Sequence, residues 1–509
     1  MDYFSLRTSL LICLLITFNV VGLCQSQGTD TLSRATFITA HSPDTVDLGR
    51  APWFGERHSS VEGITTFRGS PFRDSPSTGT IPANPSRIRV RWTFSTGFDK
   101  SWAGGAGWTG QPAVIQWPDS TRRSMNLSPS MRDKQDFVEV VAASLDGKIY
   151  FLDLATGKPS RPPINTQHPI KGSVSVDPRG WPLLYSGQGI SNDGTFAFRI
   201  FNLLDQQLIF KINGHDPFAR RNWGAFDGSP LIDPVNDVLY EAGENGLLYK
   251  VRLRTKWRSS SRSLTVQPLI QKYRYERKGG SMQGVENSLA AWHDRLFFAD
   301  NNGYLQCYNT STRKTEWWLH NYDDTDATLT LQEDAGVPFL YTGNEVDLQG
   351  DKGLVHLRKI NGLTGAVVWD RTYPCYSVRG AHPVNGGMLS TPAMGKNNDS
   401  DIVIFSLSRY GGLSRGLLVA LRKSDGTSVW ESPLPYYAWS SPLDLYDPLG
   451  NMFVFLADSH GQVMLFNGRN GELITKEKIA NLFEASPVGF GNQIVIPSRP
   501  RDIFCLEIE

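Results

Sequence analysis

A four-residue motif recurs eight times along this chain: a first residue of any type, a small residue, usually Ser or Thr, then Pro or an aliphatic. It reads Thr109-Gly110-Gln111-Pro112, Lys171-Gly172-Ser173-Val174, Asp227-Gly228-Ser229-Pro230 and Glu286-Asn287-Ser288-Leu289 in the first half. It continues as Asp326-Ala327-Thr328-Leu329, Leu389-Ser390-Thr391-Pro392, Trp439-Ser440-Ser441-Pro442 and Glu484-Ala485-Ser486-Pro487. Self-similarity at this period is the signature of a repeat architecture, and a propeller blade of four short strands takes about 40–50 residues.

Each motif is followed by a run dense in β-branched and aromatic residues, such as Val138–Ala142, Val238–Ala242, Ile402–Ser406 and Phe453–Ala457. Such runs favour the pleated strand. In several units a turn pair comes next: Asp146-Gly147, Asn245-Gly246, Asn302-Gly303 and His460-Gly461. These residues accept the positive φ of a tight hairpin. A second turn follows, at Thr156-Gly157, Thr364-Gly365, Asp425-Gly426 and Asn470-Gly471. Four residues beyond two of these glycines stand Trp369 and Trp430, and Trp317 takes the same place beyond Arg313. A flat apolar plate at a repeated position reads as an outer-strand residue packed between neighbouring blades. The segment Arg89-Val90-Arg91-Trp92-Thr93-Phe94 has the look of that outer strand but precedes the first motif, while the last unit, ending at Ile503–Ile508, lacks one. The first strand is therefore expected to complete the last blade, leaving no open sheet edge. The predicted fold is an all-β, eight-bladed propeller of four-stranded blades over residues 89–509. Seven blades is the alternative, because the fifth unit is short and irregular.

The first 28 residues stand apart. Arg7 precedes an apolar run from Leu10 to Leu23, too short for a comfortable membrane span and shaped like a signal peptide. Val21-Gly22-Leu23-Cys24 resembles a lipoprotein box with the wrong residue at Leu23, so a lipid anchor at Cys24 stands beside the simpler secreted or periplasmic expectation. No later segment is apolar enough to span a membrane. Residues 29–88 read as a polar, Pro- and Ser-rich lead-in that lies over the propeller surface or is partly disordered. Beyond the leader, Cys307, Cys375 and Cys505 are too few and too widely spaced for a disulfide framework or a zinc site, and read as buried apolar residues. The 51 Lys and Arg against 50 Asp and Glu exclude a bulk electrostatic pull toward nucleic acid.

The stretch Ser144-Leu145-Asp146-Gly147-Lys148-Ile149-Tyr150-Phe151-Leu152-Asp153-Leu154-Ala155-Thr156-Gly157 resembles the pyrroloquinoline-quinone (PQQ) repeat, as does Gly416–Gly426 with Trp430 beyond. Phe67-Arg68-Gly69-Ser70-Pro71 resembles the short segment that leads into such propellers. The resemblance covers roughly Phe67 to Glu509 and is similar most of all to uncharacterised exported bacterial propellers. It implies a binding or scaffold protein of the cell envelope with a protein partner or small polar ligand. More distantly, the chain is similar to the propeller lipoprotein of the outer-membrane β-barrel assembly machinery. The alternative it implies is a PQQ- and calcium-dependent dehydrogenase. That branch carries an adjacent cysteine pair, and here no two cysteines are adjacent. A carbohydrate-binding or sensor protein is a third reading, with Trp102, Trp108 and Trp223 as stacking platforms.

Other patterns carry less. Gly105-Ala106-Gly107-Trp108-Thr109-Gly110 satisfies a dinucleotide-binding pattern but is followed by Pro112 and a strand-like run instead of a helix. Gly412-Leu413-Ser414-Arg415-Gly416 satisfies a serine-hydrolase elbow but falls between two strands, so no catalytic residue is assigned. Asp323, Asp324 and Asp326 fail the EF-hand pattern and read as a solvated acidic loop. The sharper expectation comes from the first motif position, which should face a central funnel. Around the ring it is Thr109, Lys171, Asp227, Glu286, Asp326, Leu389, Trp439 and Glu484. Convergent carboxylates repel unless a cation sits among them, so Lys171, Asp227, Glu286, Asp326, Trp439 and Glu484 form a candidate cation- or polar-ligand-accepting site. The alternative is a water-filled channel whose side chains cap strand ends.

Overall fold

The computed structural model describes residues 37–42, 53–55, 58–278, 283–381 and 383–509; the leader, its cleavage region and Cys24 lie outside them. Eight antiparallel sheets stand around one axis. Blade one runs outward through Ala113–Gln116, Val138–Ala143, Lys148–Asp153 and Ile164–Asn165. Blades two to seven repeat that meander over residues 175–213, 231–277, 290–320, 330–376, 393–434 and 443–478. Blade eight takes Val488–Phe490, Gln493–Pro497 and Asp502–Ile508 from the end of the chain and Ile88–Ser95 from its beginning, paired Asp502 to Ser95 through Ile508 to Ile88. The ring closes as the orphan outer strand requires. The fifth unit is a full blade, irregular because its second and third strands are joined through Glu345–Val346, which pairs with Gly386–Gly387 of blade six. Among the described residues no helix is long and apolar enough to cross a membrane.

The hairpin glycines hold the expected conformation, with Gly147, Gly246, Gly303 and Gly461 at φ between 73° and 78°. Arg313 sits at φ 58°, in the place of the outer-turn glycine. Each repeated tryptophan docks on the following blade. The six-membered rings of Trp92, Trp317, Trp369 and Trp430 lie over Gly157, Gly365, Gly426 and Gly471, so close that a Cβ there would fall 2.5–2.8 Å from a ring carbon. Their indole N–H groups donate to the carbonyls of Leu154, Gly362, Lys423 and Gly468 at 2.7–3.1 Å. Apolar clusters fill the gaps between blades, as where Val141 and Phe151 of blade one meet Leu184 and Phe201 of blade two. Cys307, Cys375 and Cys505 are buried without disulfides. The glycine run before blade one leads into a strand, and Gly412–Gly416 lies in a hairpin loop, so neither offers the helix its pattern needs.

The Ser or Thr of the motif links neighbouring blades. The backbone N–H of Gln111 donates to Ser173 Oγ, that of Ser229 to Ser288 Oγ, and that of Ser288 to Thr328 Oγ1, at 2.8–2.9 Å. Thr391 N–H donates to Ser441 Oγ at 3.0 Å. A hydroxyl is required there because the innermost backbone turns away from its own ladder and its N–H must find an acceptor.

The segment leading into the propeller departs from expectation. Residues 63–78 enter the axial channel and circle it instead of lying over the surface. Gly63–Ile64 pairs with the innermost strand of blade one, and Thr65 O accepts Val176 N–H of blade two. Thr66 meets Ser229 of blade three, Pro71 O accepts Ala291 N–H of blade four, and Phe72 O accepts Leu331 N–H of blade five. Ser75 accepts from Lys396 of blade six, Ser77 donates to Asp444 O of blade seven, and Ser77–Thr78 pairs in parallel with Val488–Phe490 of blade eight. Arg68 and Arg73, both fully buried, lock this strap. Arg68 donates to the carbonyls of Pro392 and Pro442 at 2.9 and 2.8 Å, and Arg73 to Leu289 O at 2.8 Å.

Candidate functional site

The strap closes one end of the channel, and the other end opens as a mouth. Its floor is a cavity of about 50 Å³ with Phe67 of the strap at the bottom. Thr109, Asp227, Glu286, Asp326, Leu389 and Trp439 line it, each at the first motif position before an innermost strand. Lys171 joins them through an ion pair with Asp227 and lies 3.8 Å from Glu286. Burial opposes the Lys171 ammonium, but Asp227 and Glu286 outweigh it and raise the pKa.

The sequence pattern misses several carboxyls that share this site. Glu244, in the blade-three hairpin turn, brings an oxygen within 4.8 Å of oxygens of Asp227 and Glu286. Arg221 lies 3.6 Å from its Oε2, and its Oε1 has no hydrogen-bond partner. Burial, then Glu286 and Asp227, push the Glu244 carboxyl up to about 10. Asp326 is pushed up to about 8 by burial and Glu286. Glu345, fully buried, is raised by burial and by Asp326 and Asp324. The Asp326 and Glu345 carboxyls share a hydrogen bond with each other. Only the Glu-Asn-Gly turn hinted at Glu244, since a turn residue before Asn245-Gly246 borders the mouth.

Two expectations are corrected here. Glu484 does not join the convergent carboxylates: Arg499 takes its Oε2 at 2.6 Å, on the far side of the mouth. The loop at Asp323, Asp324 and Asp326 is not solvated. Asp323 is fully buried and accepts the backbone N–H groups of Asp347, Leu348 and Gln349 at 3.0–3.2 Å, which fixes the loop.

Facing the carboxyl arc is an aromatic arc. Trp439 and Tyr437 lie 5.9 Å apart, and the Arg409 guanidinium sits 4.0 Å above Tyr437. Trp108 carries Arg499 at 3.9 Å and Lys171 at 5.5 Å. The indole N–H of Trp439 is buried and without an acceptor. Chemically the mouth gathers acceptor oxygens on one wall, while the ring faces of Tyr437 and Trp108 on the other already carry Arg409, Arg499 and Lys171.

A family model described as "Outer membrane protein assembly factor BamB" matches residues 254–507. The chain belongs to the PQQ-repeat β-propeller family. Among solved PQQ-propeller structures, the quinohemoprotein alcohol dehydrogenase ADHIIG from Pseudomonas putida is similar at a TM-score of 0.59 and 13% identity, over 88% of this chain and 80% of that one. The quinohemoprotein alcohol dehydrogenase from Comamonas testosteroni is similar at 0.59 and 10% identity, over 87% of this chain and 80% of that one. BamB from Moraxella catarrhalis overlays at 0.48 and 13% identity, over 83% of this chain and 98% of that one. No curated protein sequence matches the chain. At these identities the likeness is one of fold, and the PQQ-repeat fold hosts more than one function.

Proposed function

We propose that this PQQ-repeat propeller is a non-enzymatic, exported binding protein of the bacterial cell envelope whose axial mouth takes a cationic ligand. The observation that carries the reading is the meeting of Asp227, Glu244 and Glu286 oxygens within 4.8 Å of one another, with Glu244 Oε1 buried and unpartnered. Burial and crowding push Glu244 and Asp326 toward the protonated form, and an entering cation displaces those protons. The matching family, that of an outer-membrane protein assembly factor, supports the envelope address and a protein partner at the blade faces. A signal peptide over residues 1–28 and a lipid anchor at Cys24 belong to the same reading.

A quinone- and calcium-dependent dehydrogenase has less support. Pyrroloquinoline quinone is a tricyclic tricarboxylate, and a floor lined by the carboxyls of Asp227, Glu286 and Asp326 matches its charge poorly. Cys307, Cys375 and Cys505 are buried in separate blades, away from the mouth. The sugar-stacking reading is weakened by Trp108, whose ring is attended by Arg499 and Lys171.

Calorimetric titration of the full chain with calcium chloride, and separately with cadaverine, tests the proposal. Saturable binding of either, lost in Asp227→Ala/Glu244→Ala/Glu286→Ala, is the expected result. Because Glu244 and Asp326 hold their protons until about pH 10 and 8, affinity should rise from pH 7 to 9 by up to about tenfold per pH unit for each proton released. Silence with both cations, or binding that survives the triple substitution, overturns it.

A further inference from the structure

Away from the mouth, where the innermost strands of blades five and six end, the strap and these two blades enclose a cavity of about 260 Å³. Phe72, Leu331 and Met394 give it an apolar wall. Lys423, in the turn after the strand Gly416–Arg422, lines this cavity and also an adjoining one of about 240 Å³. Its side chain is 6% exposed, and Nζ donates to Gly395 O at 2.8 Å. Among the described residues no carboxylate lies within ion-pairing distance of it. The cation beside it is Lys396, whose ammonium is held by Asp74 at 3.1 Å and Ser75 Oγ at 2.7 Å. Glu333, also on the lining, is engaged by the Trp292 indole N–H at 2.7 Å.

A desolvated amine beside a cation and without a counter-ion is the arrangement that makes a lysine nucleophilic at neutral pH. Burial first, then Lys396, push the Lys423 amine down to about 7; Asp74 and Asp444 pull the other way, and Lys359 adds the smallest share. The hydrogen bond to Gly395 O uses one N–H and leaves the lone pair of the neutral amine available.

We propose that Lys423 is a carbonyl-reactive lysine, and that the cavity admits a small aldehyde or ketone with an apolar body, its carbonyl placed at Nζ. The Nζ lone pair forms the N–C bond as the C=O π pair moves to oxygen, and a proton passes from nitrogen to that oxygen. Loss of the oxygen as water, carrying a second nitrogen proton, breaks the C–O bond and leaves an imine. No electrons are exchanged with a third partner. An acidic substituent on the guest would meet Lys396.

The test is reductive trapping of the full chain with butanal and sodium cyanoborohydride, the hydride converting any imine to a stable secondary amine, followed by peptide mass mapping. At pH 7, Lys423 should be alkylated at least about tenfold faster than exposed lysines, whose ordinary pKa near 10.4 leaves them almost wholly protonated. Its rate should level off above about pH 7 while theirs keeps rising. Lys396→Gln should move that midpoint upward without unfolding the chain, since Lys396 is on the half-exposed rim of the cavity. Labelling of Lys423 no faster than that of exposed lysines, or a rate that climbs with theirs toward pH 10, overturns the proposal. Failure of Lys396→Gln to move the midpoint also counts against it.

Discussion

Arg68 shows how much one buried side chain holds in place. Its guanidinium is fully buried, donates to Pro392 O and Pro442 O from blades six and seven, and lies 3.5 Å from Asp444, itself 2% exposed. Arg68→Met removes the donor to both carbonyls and strands Asp444 without its cation, so a loss of about 3–5 kcal/mol is expected, read from the urea midpoint. Asp300 makes a pH prediction at the same scale. Burial pushes its carboxyl up to about 7, against N–H donors from Asn302 and Tyr304 and the hydroxyl of Tyr275. The folded state therefore binds this proton more tightly than the unfolded chain. Its contribution is full below about pH 4 and is lost as pH rises through 7. Asp300→Asn keeps an acceptor oxygen and removes the titration, so wild type should lose up to about 4 kcal/mol relative to this variant between pH 4 and 8 in parallel denaturation curves.

At the scale of the element, neighbouring blades are fastened at two radii, the outer one at four of the junctions. Near the axis the motif hydroxyl accepts the preceding blade's N–H, and at the rim a tryptophan ring covers a turn glycine. Gly365 is held at φ 73°, and a Cβ there would lie 2.8 Å from the Trp317 ring. Gly365→Ala thus combines left-handed strain with a clash, and should cost about 1–3 kcal/mol by thermal or urea unfolding. Trp317→Phe keeps most of the plate but leaves Gly362 O without its donor, a loss of about 1 kcal/mol. The same glycines explain why Arg313 is tolerated at the turn of blade four: its φ of 58° accepts a side chain at some strain, and no tryptophan of blade three covers it.

Over the whole molecule, two segments of the chain's beginning do different work. The strand Ile88–Ser95 closes blade eight, and residues 63–78 tie the inner ends of all eight blades and seal the channel. A chain starting at residue 86 keeps closure and loses the strap. It should remain a cooperatively folding monomer with a lower melting temperature. A chain starting at residue 97 leaves a bare edge on blade eight and should aggregate or associate edge to edge, visible by size-exclusion chromatography. Among the described residues the strap fills one end of the channel, and burial beside it raises the Glu244 and Asp326 carboxyls.

What the sequence by itself determined lies in features repeated at short range. The hairpin pairs Asp146-Gly147 and Asn245-Gly246, the tryptophans four residues past a turn glycine, and the displaced outer strand at Ile88–Ser95 each follow from local geometry multiplied by a period. Blade number and ring closure were legible for that reason, as was the convergence of Asp227, Glu286 and Asp326 on the axis. Only the tertiary structure decided which carboxyls stand unpartnered. Glu484 has the motif position but finds Arg499 across a turn, while Glu244 and Glu345 lack the position and join the cluster from strand connections, Glu244 beside Asp227 and Glu286 and Glu345 beside Asp326. The strap was beyond the sequence for the same reason: Arg68 meets carbonyls 324 and 374 residues away. No local pattern encodes an acceptor that exists only once the ring has closed.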